Sequence, residues 1–113
     1  MEKHVPRRYR EFLERFPKLG EAWELTRQGS TGPLATETLH LVKLGIAIGA
    51  LREGAVRSAV RKARGAGVCR EAIEQVIALA TSTVGFPGAV AAFSWAMDVL
   101  SLEAAAESAD RTE

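Results

Sequence analysis

Four residues in the middle of the chain have side chains suited to acid–base or anion chemistry. His40 lies in an apolar stretch, Arg52 and Glu53 follow that stretch directly, and Thr83 lies farther along the chain. An imidazole exchanges protons near neutral pH, and a guanidinium binds a carboxylate through two parallel hydrogen bonds. If they meet, these residues predict a site for a small anionic compound, with His40 and Glu53 as proton carriers and Arg52 and Thr83 as ligand contacts. The competing interpretations are a structural His40 and a Thr83 hydroxyl bonded to the preceding helical turn.

The one cysteine, Cys69, stands at the start of a predicted helix, where the helix dipole favours a reactive thiolate. A peroxidase using this single cysteine is therefore one hypothesis. The favoured alternative is a helix cap, a position that Ser or Thr usually holds, because the chain has no second thiol to resolve an oxidised one. The only histidines are His4 and His40, so no metal-ligand spacing exists. The sequence predicts no metal and no cofactor.

Arginines recur at helical spacing after the apolar stretch, with Arg57, Arg61 and Arg64 on one predicted helix face. This arginine stripe predicts either a carboxylate or phosphate site or, as the favoured interpretation, a face that is solvated or paired with acids across a subunit interface. The acids considered for that pairing are Glu71, Glu74 and Glu103. Nucleic acid is not an expected partner, because the stripe is short and no aromatic residues interleave with it.

Apolar spacing and the positions of glycine and proline predict about six helices and no strands, an all-α fold. Breaks are expected at Gly65-Ala66-Gly67, where one glycine takes the left-handed cap conformation, and at Gly85-Phe86-Pro87, where Pro87 opens the last helix. The predicted helices span residues 6–16, 19–28, 35–51, 52–66, 68–84 and 87–100.

The order of these helices and three short motifs resemble the carboxymuconolactone decarboxylase and alkylhydroperoxidase D superfamily. The motifs are Ala63-x-x-x-Gly67, Glu71-x-x-Glu74 and Gly85-Phe86-Pro87, and the resemblance covers Phe16 to Leu100. It implies one domain over residues 1–113 with an alkylhydroperoxidase D-like helical bundle. Within that domain, residues 1–34 form a helical hairpin and loop, 35–100 the core and 101–113 a tail. Members of this superfamily assemble as trimers or hexamers, so the resemblance also implies a homo-oligomer.

The chain departs from the superfamily at the residues that carry its redox chemistry. Redox members have Cys-x-x-Cys-x-x-x-His, and here Arg52, Ala55 and Ala59 occupy those three positions. His40 falls where redox members carry a glutamate. Decarboxylase members lack the cysteines and have an Arg-and-acid pair similar to Arg52-Glu53, but Ala59 replaces their histidine too. The resemblance implies a non-redox, lyase-type enzyme for a small carboxylate or, alternatively, a catalytically degenerate ligand-binding or assembly module.

Composition limits the remaining function classes. The net charge is +1 and 47% of the residues are hydrophobic, which gives no overall attraction to nucleic acid or to a membrane surface. Lys43 and Arg52 interrupt the longest apolar run, so no membrane span is expected. The polar N-terminus and the lone cysteine predict a cytoplasmic protein.

Overall fold

The computed structural model of the protein describes residues 6–111, which form helices joined by short turns and contain no strand. The helices are α1 (Arg7–Arg15), α2 (Pro17–Gly29), α3 (Thr36–Gly49), α4 (Glu53–Gly65) and α5 (Arg70–Arg111). Gly85 has φ 82° and ψ 165°, so it breaks α5 into a first half before it and a second half after it. Counting those halves separately gives six helical segments, which confirms the predicted all-α class.

The chain divides between Pro33 and Leu34 into two compact units. In the first unit, Pro17 opens α2 at the first helical turn, where its missing N–H costs nothing. The two helices approach closely, because a Cβ placed on Gly20 would lie 3.1 Å from Leu13 Cδ2. No residue of α1 or α2 is buried. This hairpin therefore has no core of its own.

In the second unit, neighbouring residues fix the direction of each helix. A Cβ on Gly67, just past the end of α4, would lie 3.7 Å from Glu37 Oε1 at the start of α3, so these two helices are antiparallel. The first half of α5 runs alongside α3 in the same direction, since Val76 lies beside Gly45 and Gly88 beside Leu51.

The second half of α5 runs alongside α4. Arg57 pairs with Asp98 and Arg64 with Glu103, so both helices advance in the same direction. The four segments thus form a bundle in which they run up, down, up and down, and the first half of α5 packs beside α3 while the second half packs beside α4. One end of this bundle holds the α3–α4 turn and the Gly85 break.

The core of the second unit consists of apolar side chains from all four segments. The fully buried larger side chains are Leu44, Ile48, Val56, Val60, Ile73 and Leu100. Three alanines, Ala63 on α4 and Ala92 and Ala96 on the second half of α5, are also fully buried. Such small side chains allow helix axes to approach closely at full packing density.

By length and composition alone, α5 is also apolar enough to cross a membrane, with a mean hydropathy of 1.7 over its most apolar window in Arg70–Asp110. The premise behind the expected absence of a membrane span, that charges interrupt every apolar run of sufficient length, is wrong for α5. Lys43 and Arg52 interrupt the first apolar run, but residues 75–97 contain no charged side chain. Because core helices pass the same test and α5 supplies Ile73 and Ala96 to the core, the finding assigns no location to the protein.

Candidate functional site

The turn between α3 and α4 positions Arg52 and Glu53. Leu51 adopts a left-handed conformation with φ 51°. Its N–H donates to the Ile48 carbonyl at 2.9 Å, and the Arg52 N–H donates to the Ala47 carbonyl at 3.3 Å. These two bonds form a Schellman motif, which ends α3 and leaves Arg52 as the N-cap of α4.

The same motif ends α4, but with a glycine at the left-handed position. Gly67 has φ 92°, its N–H donates to Arg64 O at 3.0 Å, and the Val68 N–H donates to Ala63 O at 3.0 Å. The predicted left-handed glycine is thereby confirmed. At the α3–α4 turn, Leu51 holds the left-handed position that Gly67 holds after α4. Its Cδ1 lies 3.4 Å from the position that a Cβ on Gly88 would take.

Two helix N-termini therefore lie close together at one end of the bundle, that of α4 and that of the second half of α5. The N–H groups of a helix start carry partial positive charge and attract anions. Arg52 is exposed there and makes no ion pair among residues 6–111. Glu53 begins α4, and its Oε2 accepts a hydrogen bond from Arg57 Nε at 3.0 Å.

Two members of the arginine stripe link α4 to the second half of α5. Arg57 Nη2 donates to Asp98 Oδ2 at 2.9 Å. The hydrogen bonds with Asp98 and then Glu53 raise the pKa of the Arg57 guanidinium above its ordinary value. Arg64 Nε donates to Glu103 Oε1 at 2.7 Å.

Glu103 is one of the acids considered as a partner for the stripe, but its pairing with Arg64 lies within one chain and not across a subunit interface. The third stripe member, Arg61, is exposed and makes no ion pair in the part of the chain that the structure describes.

His40 lies near the opposite end of the bundle. Its side chain is partly buried, and this burial lowers the pKa of the imidazole, as do the charges of Lys43 and, from α4, Lys62. The neutral imidazole is therefore favoured. Nine residues of α3, roughly 14 Å of helix, separate His40 from Gly49 at the α3–α4 turn.

Thr83 lines an apolar groove between α3 and the first half of α5. This α3–α5 groove has a volume of about 390 Å³ and is lined by Thr38, Leu41, Val42, Gly45, Gly49, Val76, Leu79, Ala80 and Thr83. The two hydroxyls before Thr83 bond to backbone carbonyls of the preceding helical turn. Thr81 Oγ1 donates to Ile77 O and Ser82 Oγ donates to Leu79 O, both at 3.4 Å.

The structure thus separates the predicted site residues. Arg52 and Glu53 share the α3–α4 turn, and Thr83 faces the groove near the same end of the bundle. His40 lies at the other end, and none of His40, Arg52 and Glu53 lines the α3–α5 groove. A single pocket containing all four is not formed by one copy of the chain.

Cys69 directly precedes α5, is exposed, and its carbonyl accepts a hydrogen bond from the Ile73 N–H at 3.3 Å. This is the N-cap position that the favoured interpretation of Cys69 predicted. No group of three His, Cys, Asp or Glu side chains within residues 6–111 could hold a metal ion.

Sequence reasoning missed the α5 part of an exposed apolar surface on the second unit. Ile46 is 66% exposed, Leu79 is 68% exposed and Phe86 is 74% exposed. On the second half of α5, Phe86, Val90 and Phe93 form an outward row, distinct from the buried alanines. Their i, i+4, i+7 spacing was the available signal.

A comparison with protein-family models matches residues 17–98 to the carboxymuconolactone decarboxylase family. The chain belongs to the carboxymuconolactone decarboxylase family. Comparisons with curated proteins and with solved structures find no significant match. In this family member, Ala59 is partly buried against the core, so a methyl group packs where the superfamily's histidine is expected.

The pKa of His40 gives the protein a testable pH dependence. Because the folded imidazole binds protons less readily than the unfolded one, whose pKa is about 6.5, the unfolded state binds more protons below that pH. The free energy of unfolding is therefore expected to fall as the pH drops below about 6.5, and a His40→Gln variant should lose this component. Urea unfolding of both proteins at pH 7.5, 6.5 and 5.5 measures it. His4 is present in both, so equal slopes would contradict the assignment.

Proposed function

We propose that this carboxymuconolactone decarboxylase family member functions as a self-associating module, a homo-trimer or a hexamer of two trimers or three dimers, without redox chemistry. The observation that carries the proposal is the exposed apolar surface of the second unit. Ile46 on α3 and Leu79 on α5 are each about two-thirds exposed, and Leu79 also lines the α3–α5 groove. Removing such side chains from water stabilises an interface by roughly 1 to 2 kcal/mol each.

The absence of a resolving cysteine supports the non-redox part of the proposal. The chain has one cysteine, and a two-thiol peroxidase needs a second thiol to reduce the sulfenic acid formed on the first. Arg52 and Ala55, at the positions of the superfamily's cysteines, have no thiol chemistry.

Light scattering at micromolar protein concentration tests the association. The expected mass is three or six times the 12.2 kDa of the chain, and Leu79→Asp is expected to lower it because a carboxylate in the interface would be desolvated. Leu102→Asp is the matched control, since Leu102 is 73% exposed on the same helix but lies far from the groove in sequence. A monomeric mass for the unmodified protein would exclude the proposal.

A second candidate function, a lyase for a small carboxylate, is favoured by the two helix N-termini that converge beside Arg52. In this candidate, Arg52 anchors the substrate carboxylate and Glu53 carries a proton to or from the adjacent carbon. His40, the other predicted proton carrier, lies at the far end of the bundle, so the proton transfer is assigned to Glu53.

Turnover of a panel of small carboxylated lactones tests the second candidate. For any compound that reacts, Arg52→Ala is expected to reduce kcat/KM at least tenfold, because the anion loses its guanidinium partner. Arg61→Ala is the control, since Arg61 is also exposed and makes no ion pair among residues 6–111. Equal rates in the two variants would remove Arg52 from the site.

A further inference from the structure

The long helix α5 changes its packing partner at one residue. Before Gly85 it packs beside α3, where Val76 lies next to Gly45. After Gly85 it packs beside α4, to which two ion pairs join it. Gly85 is the residue within Arg70–Arg111 whose φ and ψ are not helical. The backbone conformation of this single residue therefore decides which helix the following part of α5 can reach.

A helical conformation at Gly85 would turn α5 into one straight helix. Its 42 residues would span roughly 63 Å, so the second half would point away from α4 of its own chain. Ala92, Ala96 and Leu100, which are buried, would then lose the core that covers them. The α4 of a second copy offers the same surface, and a reciprocal exchange between two copies would restore both ion pairs between α4 and α5.

Gly85 and Pro87 favour the bent helix over the straight one. Gly85 has φ 82°, which glycine adopts about as readily as a negative φ and other residues do not. Pro87 lies in the first turn of the second half, where a helix needs no N–H donor. In a straight α5 the same proline would leave the Thr83 carbonyl without its N–H donor, and its ring would clash with that carbonyl. Straightening is therefore unfavourable at Pro87.

Gly88 gives a separate reason for the bend. A Cβ at this position would lie 3.1 Å from Val84 Cβ and 3.4 Å from Leu51 Cδ1. In a continuous helix the Cβ atoms of residues four apart are about 5 to 6 Å from each other, so Gly88 approaches Val84 more closely than helical geometry does. A side chain at position 88 would therefore be crowded in the bent helix, whereas the geometry of a straight helix accommodates it.

We propose that Gly85, Pro87 and Gly88, here called the α5 corner, keep the second half of α5 on the α4 of its own chain and prevent its exchange between two copies. Without the α5 corner, α5 straightens and two copies form a domain-swapped dimer. Self-association through exposed surfaces leaves the core of each chain intact, whereas this exchange rebuilds the core from two chains. The two events are therefore independent and separately measurable.

Cross-linking of the α4–α5 contact tests the α5 corner. Arg57→Cys and Asp98→Cys supply two thiols in a Cys69→Ser background, at positions whose native side chains are 2.9 Å apart. Each protein is unfolded in urea, refolded at high concentration, treated with a short bis-maleimide and analysed by denaturing electrophoresis. With the α5 corner intact, the cross-linked product is expected at the 12.2 kDa of one chain, because both thiols belong to the same copy even within an oligomer.

The straightening variant, Gly85→Ala with Pro87→Ala and Gly88→Ala, is expected to give mainly the two-chain product. Gly88→Ala alone should raise the ratio of two-chain to one-chain product about tenfold, because the crowded Cβ disfavours the bend. Gly54→Ala is the matched control and should leave the ratio unchanged, since an added Cβ there meets nothing within 4 Å.

Two-chain product is counted only in excess of that from proteins carrying either thiol alone, which report contacts between the surfaces of different copies. If circular dichroism shows that the straightening variant is not helical, Gly88→Ala alone decides the outcome. One-chain product from the folded variants would overturn the proposal, and so would two-chain product from the protein with an intact α5 corner.

Discussion

Replacing Ile73 with alanine is expected to lower the free energy of unfolding by about 3 kcal/mol. Ile73 is fully buried in the first half of α5, where it belongs to the core shared by α3, α4 and α5. Truncation removes the transfer energy of the buried methyl and methylene groups and leaves a cavity that packed helices fill only in part. Urea-induced unfolding followed by circular dichroism measures the change.

Leu102→Ala is the control for this substitution, because Leu102 is a large aliphatic residue of the same helix that is mostly exposed. The free energy of unfolding of the Leu102→Ala variant should differ from that of the unmodified protein by less than about 0.5 kcal/mol. Both variants and the unmodified protein must be compared at one protein concentration, since association adds to apparent stability. A loss at Ile73 no larger than the loss at Leu102 would contradict the assigned core.

Replacing Gly85 with alanine is expected to cost about 2 to 3 kcal/mol. With φ 82° and ψ 165°, Gly85 occupies a backbone region that is open essentially to glycine alone. The nearest atom to an added Cβ is Pro87 Cδ at 3.9 Å, an ordinary contact. The cost therefore arises from the backbone conformation and not from a steric clash with neighbours.

Gly54→Ala should change stability in the opposite direction. Gly54 lies in the first turn of α4, and an added Cβ there would have nothing within 4 Å. Alanine is expected to stabilise the helix by about 0.5 to 1 kcal/mol through its higher helix propensity. In a domain of this size the two variants would differ in melting temperature by roughly 10 °C or more. Equal melting temperatures would refute the special conformation of Gly85.

Local sequence signals predicted the helices well, because their causes are local. Pro17 is compatible only with the first turn of a helix, and Gly67 accepts the left-handed cap conformation. A glycine followed closely by a proline, as in Gly85 and Pro87, breaks a helix. The structure confirms each of these boundaries to within a few residues. The hydrophobic spacing around Ile73 is a local signal of the same kind, and Ile73 is fully buried.

The candidate site was predicted less well, because its geometry depends on pairings between distant segments. Nothing in the sequence around Arg57 indicates that Asp98, far along the chain, would accept its hydrogen bond. His40 and Arg52 are near each other in sequence, yet a straight helix holds them at opposite ends of the bundle.

Gly45 and Gly49 illustrate the same limit. Glycines four residues apart in a helix favour the close approach of a neighbouring helix. In the structure a Cβ at Gly45 would lie 3.9 Å from Val76 Cγ1, and one at Gly49 would have no atom within 4 Å. Both glycines instead line the α3–α5 groove, where the missing side chains deepen a surface that another chain could fill.

The position of the core has a consequence for how the protein reaches its folded state. All buried residues of the described range 6–111 lie between Leu44 and Leu100, on α3, α4 and α5 and the turn before α5. Because most backbone contacts of an all-helical unit are local in sequence, this unit is expected to fold in milliseconds or less. The hairpin contributes no buried residue, so the core is expected to form whether or not the hairpin has become ordered.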